Sequence, residues 1–396
     1  MIDWDAHYAG RASRMAASEI RELLKLLDQP DIISFAGGIP DPNLFPLSAI
    51  EASYHHILSD KARAAAALQY SISEGYLPLR EWLAGYMGEM GVACGPDNII
   101  ITNGSQQALD FLGKLFIGPN EPVMVARPTY LGALQAFNAY EPAYVHFPPP
   151  GADWQGPAPK LGYIMPDFQN PTGVSMTLEE RHQALEMARR VGMPLIEDAA
   201  YEKLRYDGAA LPSLLALDAE REGGIDNSRV IYCGTFSKTV VPALRLGWMV
   251  APRAVIKKLV LIKQASDLHC STLNQMVMHE VASKTLMANI GHIRATYQAR
   301  RDATLAAMAE HFPASVSWTR PEGGMFIWAT LPEGLNAAEV LRRAITEFRV
   351  AFVPGAAFFS DGTGRNTFRL SFSLNDKPQA TEGIRRLGQL LREVAN

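Results

Sequence analysis

Four short segments bring together residue types that could bind an anion and handle an amine. Asn103-Gly104-Ser105-Gln106 follows the apolar run NIIIT (98–102) and opens a helical pattern. Glycine there permits close backbone approach, and the free N–H groups of a helix start attract an anion. Taken alone, the same residues read as an ordinary serine-capped helix. The turn from Pro166 to Gly173 follows LGYIM (161–165) and contains Asn170, whose amide could donate to an anionic oxygen, although Asn before Pro also initiates turns. The run PLIED (194–198) ends in Glu197-Asp198, with Tyr201 three residues later. A carboxylate closing a buried strand is costly without a cationic partner, so Asp198 asks for positive charge; a helix N-cap fits it equally well. VIYCG (230–234) leads into Thr235-Phe236-Ser237-Lys238, with Arg245 seven residues further on. A desolvated lysine is a nucleophilic amine suited to Schiff-base formation, and an arginine fork suits a phosphate dianion, whereas most lysines are solvated surface charges.

Jointly, these strand ends offer an anion cup, an amide donor, a carboxylate near a phenol, and an amine beside an arginine. Pyridoxal 5′-phosphate needs this set. Its phosphate takes N–H, hydroxyl and arginine donors, its ring nitrogen a carboxylate, its O3′ hydrogen-bond donors and its aldehyde a lysine.

The elements that must position these groups are legible as apolar runs. NIIIT, PVMVA (122–126), LGYIM, PLIED, VIYCG and LGWMV (246–250) are each bounded by turn residues, and helical patterns separate several of them. The spacing predicts a helix from Ser105 to Phe116 opened by a capping serine. It predicts another from Thr177 to Arg190 opened by a capping box with Glu180. Alternation of this kind implies an α/β fold, a doubly wound and mainly parallel sheet whose ligands bind beyond the carboxyl ends of the strands. After about residue 290 long helical periods surround short strands, among them MFIWA (325–329) and FRLSF (368–372), which predicts a smaller α+β domain. The expected division is 1–50 packing with that small domain, 51–290 as the large domain, and 291–396 as the small one. The proline-rich FPPPGADWQGPAP (147–159) reads as a surface loop.

Composition bounds the function. The 396 residues are 48% hydrophobic and 20% charged, enough for a large core and two domains at roughly 150 residues or more each. A net charge of −4 lacks the basic excess of a nucleic-acid binder. Cys94, Cys233 and Cys270 are dispersed, which suits a reducing cytoplasm, and neither an export signal nor a membrane-length apolar stretch is found. Gly362-Thr363-Gly364 lacks the context of a dinucleotide fingerprint. Asp267, His269 and Cys270, like the adjacent His55-His56, put neighbouring side chains on different faces, so no metal site is expected.

The motifs also resemble the class I/II aminotransferases, fold type I pyridoxal-phosphate enzymes. The resemblance covers nearly the whole chain through NGSQQALD, PDFQNPTG, IEDAAYEKLRYDG and GTFSKTVVPALRLGW, then FVPGAAFF and FRLSFS, in that order. SFAGGIPDPNLFP (34–46) and LQYSISEGYLPLR (68–80) are similar to the narrower branch of 2-aminoadipate, kynurenine and aromatic aminotransferases and related regulator domains. The resemblance implies that Lys238 bonds the cofactor aldehyde, Asp198 meets the ring nitrogen, and Asn170 and Tyr201 donate to O3′. It assigns Gly104, Ser105, Gln106, Ser237, Arg245 and Thr235 to the phosphate and Tyr130 to the ring face. Tyr70 would arrive from the other subunit of a homodimer. Arg369 would grip the substrate α-carboxylate, with Gly38 lining the pocket. In that branch an N-terminal arginine, here Arg21, meets a distal carboxylate or swings away; by pattern alone Arg21 fits equally the solvated face of SEIRELLKLL. The expected activity is transfer of an amino group from an L-amino acid (2-aminoadipate, aromatic, branched-chain or glutamate-like) to a 2-oxo acid such as 2-oxoglutarate. The alternatives are another pyridoxal reaction (racemase, lyase or decarboxylase) or a non-catalytic ligand-sensing domain, against which stands the absence of room for a helix-turn-helix module upstream. Two departures from the family pattern, a short 148–160 stretch and Ala243 in place of a usual glycine, bear on substrate identity rather than on the cofactor roles.

Overall fold

The computed structural model describes residues 1–15, 31–149 and 151–394. A short strand β1 (Ile33–Ser34) precedes the main sheet. That sheet contains β2 (Ile99–Thr102), β3 (Pro122–Val125), β4 (Ala143–His146), β5 (Leu161–Ile164), β6 (Leu195–Asp198), β7 (Val230–Thr235) and β8 (Gly247–Val250), in the order β2-β8-β7-β6-β5-β3-β4. The strands β2, β5, β6, β7 and β8 are buried along their whole length, which is why they read as unbroken apolar runs rather than alternating ones. All six expected runs are strands. The seventh, β4, is a half-exposed edge strand whose AYVH has no such run to betray it.

Strands β3 to β7 pair in parallel, and β8 runs antiparallel to both β2 and β7. The connection from β7 to β8 covers only 236–246, too short for the crossover of about a dozen or more residues that a parallel return requires. This reversal starts β8 where β2 and β7 finish, with Gly247 in register with both Thr102 and Thr235.

The helix Ser105–Phe116 begins where expected, but its N-cap is Gly104 in a left-handed conformation (φ 78°), and Ser105 is its first residue, not its cap. The helix Leu178–Val191 carries the expected capping box: the Thr177 hydroxyl accepts from the Glu180 N–H, and Glu180 accepts from the Thr177 N–H at 2.7 Å.

The smaller α+β domain has an antiparallel sheet of β9 (Ser317–Trp318), β10 (Phe326–Thr330), β12 (Val353–Pro354) and β13 (Thr367–Ser371), and β11 (Val350–Ala351) pairs with β1. The N-terminal segment is stitched to it: Phe35 N–H donates to Ala351 O, Ser371 N–H to Phe35 O, and the Ser373 hydroxyl to Ile39 O at 2.7 Å. The 40-residue helix Thr272–His311 passes position 290 unbroken and packs on the C-terminal helix Lys377–Val394.

That helix crossing depends on Gly388, where a Cβ would sit 2.5 Å from the His311 carbonyl oxygen. Replacing a helix-interior glycine by alanine ordinarily stabilises by about 0.5–1 kcal/mol. Because the obstacle here is backbone, Gly388→Ala is expected to lose about 1–3 kcal/mol instead. Thermal melting checks this, and an unchanged or raised Tm contradicts it.

Candidate active site

The carboxyl ends of β2 and β7 meet the start of β8 so closely that only glycine fits. A Cβ on Gly247 would lie 2.8 Å from Gly234 O and 2.9 Å from Ser105 N. Arg245, just ahead of β8, lies over Gly104, where a Cβ would be 2.6 Å from Arg245 Nη2. The guanidinium donates to Pro242 O at 3.2 Å and more loosely to Asn103 O at 3.4 Å. The Thr235 hydroxyl donates to Ser237 Oγ at 3.0 Å, and Gln106 Nε2 donates to Gly132 O at 2.7 Å. A helix N-terminus, an arginine fork and two hydroxyls thus converge on one small region, an arrangement that attracts a phosphate dianion.

Asp198, at the end of β6, is 2% exposed. Its Oδ2 accepts from the Tyr163 hydroxyl at 2.7 Å, and its Oδ1 accepts weakly from Ala200 N–H at 3.3 Å. Burial pushes the carboxyl up to about 6, against the lowering effect of Tyr163, the Ala200 N–H and Lys238. It therefore remains a carboxylate at neutral pH. Lys238 is half-buried, with Nζ 5.8 Å from the centre of the Tyr201 ring. Burial, then Arg369 and Arg245, lower its ammonium to about 8, which makes free amine accessible near neutrality. Burial pushes the Tyr201 phenol far above its usual range, so that it remains a donor.

On the facing side Arg369 projects from β13 and is 2% exposed. Its Nη1 donates to Asn170 Oδ1 and its Nη2 to Ala36 O, both at 2.8 Å, while its Nε is buried without a partner among the described residues. The guanidinium lies 4.3 Å from the Phe326 ring centre and 5.2 Å from that of Phe358, contacts that favour a cation. Burial lowers it to about 10, still protonated at neutral pH. Gly38 (φ 81°) allows the N-terminal segment to pass: a Cβ there would be 2.7 Å from Phe326 Cε1. Tyr130 acts electrostatically on both Tyr201 and Arg369, and so belongs to the same cluster.

Of the expected residues one stands apart and one is not described. Tyr70 is 80% exposed, its ring edge-on to His269, and Arg21 lies outside the described residues. Sequence reasoning missed Tyr163, Phe326 and Phe358. The first was one apolar member of LGYIM, and alternation along β5 and β6, which puts Tyr163 on the face of Asp198, was the signal available. A cavity of about 870 Å³ lies elsewhere, against the helix Leu178–Val191, and none of Lys238, Asp198, Arg245 or Arg369 lines it.

Residues 41–387 match the model of the family described as aminotransferase class I and II. The chain is 42% identical to the 2-aminoadipate transaminase of Thermus thermophilus, over 99% of this chain and 98% of that protein. It is 40% identical to aromatic-amino-acid aminotransferase 1 of Thermococcus litoralis, over 99% and 95% respectively. The solved α-aminoadipate aminotransferase of Thermus thermophilus, complexed with N-(5′-phosphopyridoxyl)-L-leucine, superposes with a TM-score of 0.89 at 40% identity, covering 99% of both chains. The strand-end cluster thus sits in a fold type I framework, and the chain belongs to the class I and II aminotransferases, enzymes dependent on pyridoxal 5′-phosphate.

Proposed function

We propose that this aminotransferase takes the amino group of an L-amino acid with an aromatic or long dicarboxylic side chain and passes it to 2-oxoglutarate or a similar 2-oxo acid, in two half-reactions at one site. The observation that carries the reading is Arg369, a buried guanidinium with a spare Nε–H, tied to Asn170 and close enough to Lys238 to lower its proton affinity. Arginine takes carboxylates in a two-pronged grip, and every amino or 2-oxo acid carries one next to its reacting carbon. The substrate class is supported by the names of the similar proteins, 2-aminoadipate transaminase and aromatic-amino-acid aminotransferase.

The residues fit the cofactor on structural grounds: a cradle under Arg245 that a Cβ would fill, and a buried carboxylate that stays ionised. Bound pyridoxal phosphate supplies an aldehyde that exchanges oxygen for an amino group and a ring that withdraws electrons from the breaking bond. Gly104, Ser105, Gln106, Thr235, Ser237 and Arg245 would hold its phosphate, Asp198 its ring nitrogen, and Tyr130 its ring face. Asn170 spends its Oδ1 on Arg369, leaving Nδ2 to donate, with the Tyr201 hydroxyl, to O3′. Lys238 would hold the aldehyde carbon. Freed from that bond, its Nζ would take the proton from the substrate Cα and hand it on to the former aldehyde carbon, a task suited to an amine titrating at about 8. Gly38 would border the substrate, and Arg21 would meet a distal carboxylate.

The exposed Tyr70 ring fits a site completed by a second copy of the chain, so we read the enzyme as a homodimer with shared sites. The free thiols of Cys94, Cys233 and Cys270 accord with a reducing, cytoplasmic setting, and no helix among the described residues is long and apolar enough to cross a membrane.

Three outcomes are expected. Adding L-2-aminoadipate or L-phenylalanine to the loaded enzyme, with no 2-oxo acid present, should remove the visible band and release an equimolar 2-oxo acid. A band that persists with every amino acid tried would refute the reading. Uptake of pyridoxal phosphate by the apoprotein needs the uncharged Lys238 amine, so its rate should rise with pH to a plateau, with a midpoint at about 8 rather than near the ordinary 10.5. Finally, mixing the Tyr70→Ala and Lys238→Ala proteins under subunit exchange should generate hybrids with one intact site. Activity that stays at the level of the separate variants counts against a shared site.

A further inference from the structure

We propose that Tyr163 is a positioning residue of the reaction, whose hydroxyl holds one oxygen of Asp198 and keeps that carboxylate ionised and oriented for the ring nitrogen of the cofactor. The inference deepens the reading above and rests on it, since it assumes that Asp198 meets that nitrogen.

The geometry of the sheet sets up the contact. In β5 and β6, Tyr163 is in register with Ile196, so Asp198 is its diagonal neighbour on the same face. Diagonal pairs lie about 7–8 Å apart at the backbone, a span that tyrosine can bridge. The hydroxyl reaches Asp198 Oδ2 at 2.7 Å, with both side chains buried. Tyr163 has no exposed surface, and its ring packs edge-on against Phe137 with centroids 5.9 Å apart, so the hydroxyl has little freedom to leave.

Every other group that faces Asp198 is a weaker or more variable partner. From β7, Cys233 is directly opposite in register, and burial pushes its thiol well up, so it contributes no charge. From the loop after β6, Ala200 N–H donates at 3.3 Å, and the Tyr201 phenol stays protonated. Lys238, the one cation among the described residues that acts on Asp198, is the group that gives up its charge to react. Tyr130 acts on Tyr163 from the cofactor side and is likewise a phenol. Among the described residues Tyr163 thus provides the one short hydrogen bond to the carboxylate, and burial together with Asp198 itself keeps the phenolic proton in place. It occupies Oδ2 and leaves Oδ1 with only a long contact, hence open to an N–H from the cofactor ring. Removing the donor raises the proton affinity of Asp198, and a proton drawn onto the carboxylate is one no longer shared with the ring nitrogen.

The test uses the loaded enzyme with an isotope-labelled ring nitrogen followed by nitrogen NMR across pH, alongside cofactor affinity and kinetics. Tyr163→Phe keeps the ring packing and deletes only the hydroxyl. A hydrogen bond to a charged group is worth roughly tenfold or more in an equilibrium. The ratio of protonated to unprotonated ring nitrogen at neutral pH should therefore fall about tenfold, with a similar loss of cofactor affinity, and kcat should drop about tenfold while KM for the amino acid changes little. A difluorinated tyrosine at the same position is a stronger donor of nearly the same shape and should raise that ratio. It decides the matter alone if the phenylalanine variant fails to fold. A folded Tyr163→Phe protein with the wild-type ratio, or a fluorinated one whose ratio does not move, overturns the inference and leaves the proposed function standing. A wild-type enzyme that binds the cofactor with its ring nitrogen unprotonated throughout overturns the role of Asp198 and this inference with it.

Discussion

The structure is organised around a buried cation with no carboxylate beside it among the described residues. Arg369 has withdrawn from water into a space between two aromatic rings, and an isolated charge so placed costs several kcal/mol unless it is compensated. The compensation comes from four parts of the chain: the Asn170 amide after β5, the Ala36 and Gly37 carbonyls of the N-terminal segment, and the faces of Phe326 and of Phe358. None of these is an anion. On the proposed function that deficit is what a substrate carboxylate fills, since a protein carboxylate here would neutralise the site.

A second constraint acts across the sheet. On the proposed function Lys238 is uncharged for part of the cycle and Asp198 charged throughout, although the aspartate is buried and the lysine half-buried. Burial pushes the two in opposite directions, the amine towards neutrality and the carboxyl towards protonation, and so helps the first and hinders the second. The neighbours make up the difference: Arg369 and Arg245 push the lysine further down, and Tyr163 and the Ala200 N–H hold the aspartate back.

The strands that carry this chemistry were legible because they are buried on both faces and read as apolar runs, and the polar residues at their ends followed. What was not legible depended on pairing. That β8 is reversed, and so delivers Arg245 to Gly104, follows from the length of one connection rather than from any residue type. The serine expected to cap the helix after β2 is instead its first residue, because Gly104 takes the turn that a cap would occupy. Tyr163 looked like core, and it is core; only the register between β5 and β6 reveals that its hydroxyl has a partner. Tyr70 was singled out through family likeness, since an exposed tyrosine carries no signal of its own within one chain.

The helix Thr272–His311 has a consequence for how the molecule comes apart. At 40 residues it is a rod about 60 Å long. Three arginines on its second half reach in different directions: Arg294 to Lys203 O, Arg300 to Asp41 and the Ser373 carbonyl, and Arg301 to Asp207 and Pro321 O. Lys203 and Asp207 follow β6 in the large domain, whereas Asp41 and Ser373 belong to the stitched N- and C-terminal segments. Peeling either domain away would leave one of these guanidinium groups without its partners while the rod stayed folded. The two domains therefore share a single cooperative fate, and slow amide exchange along this helix reports opening of the whole molecule rather than of one half.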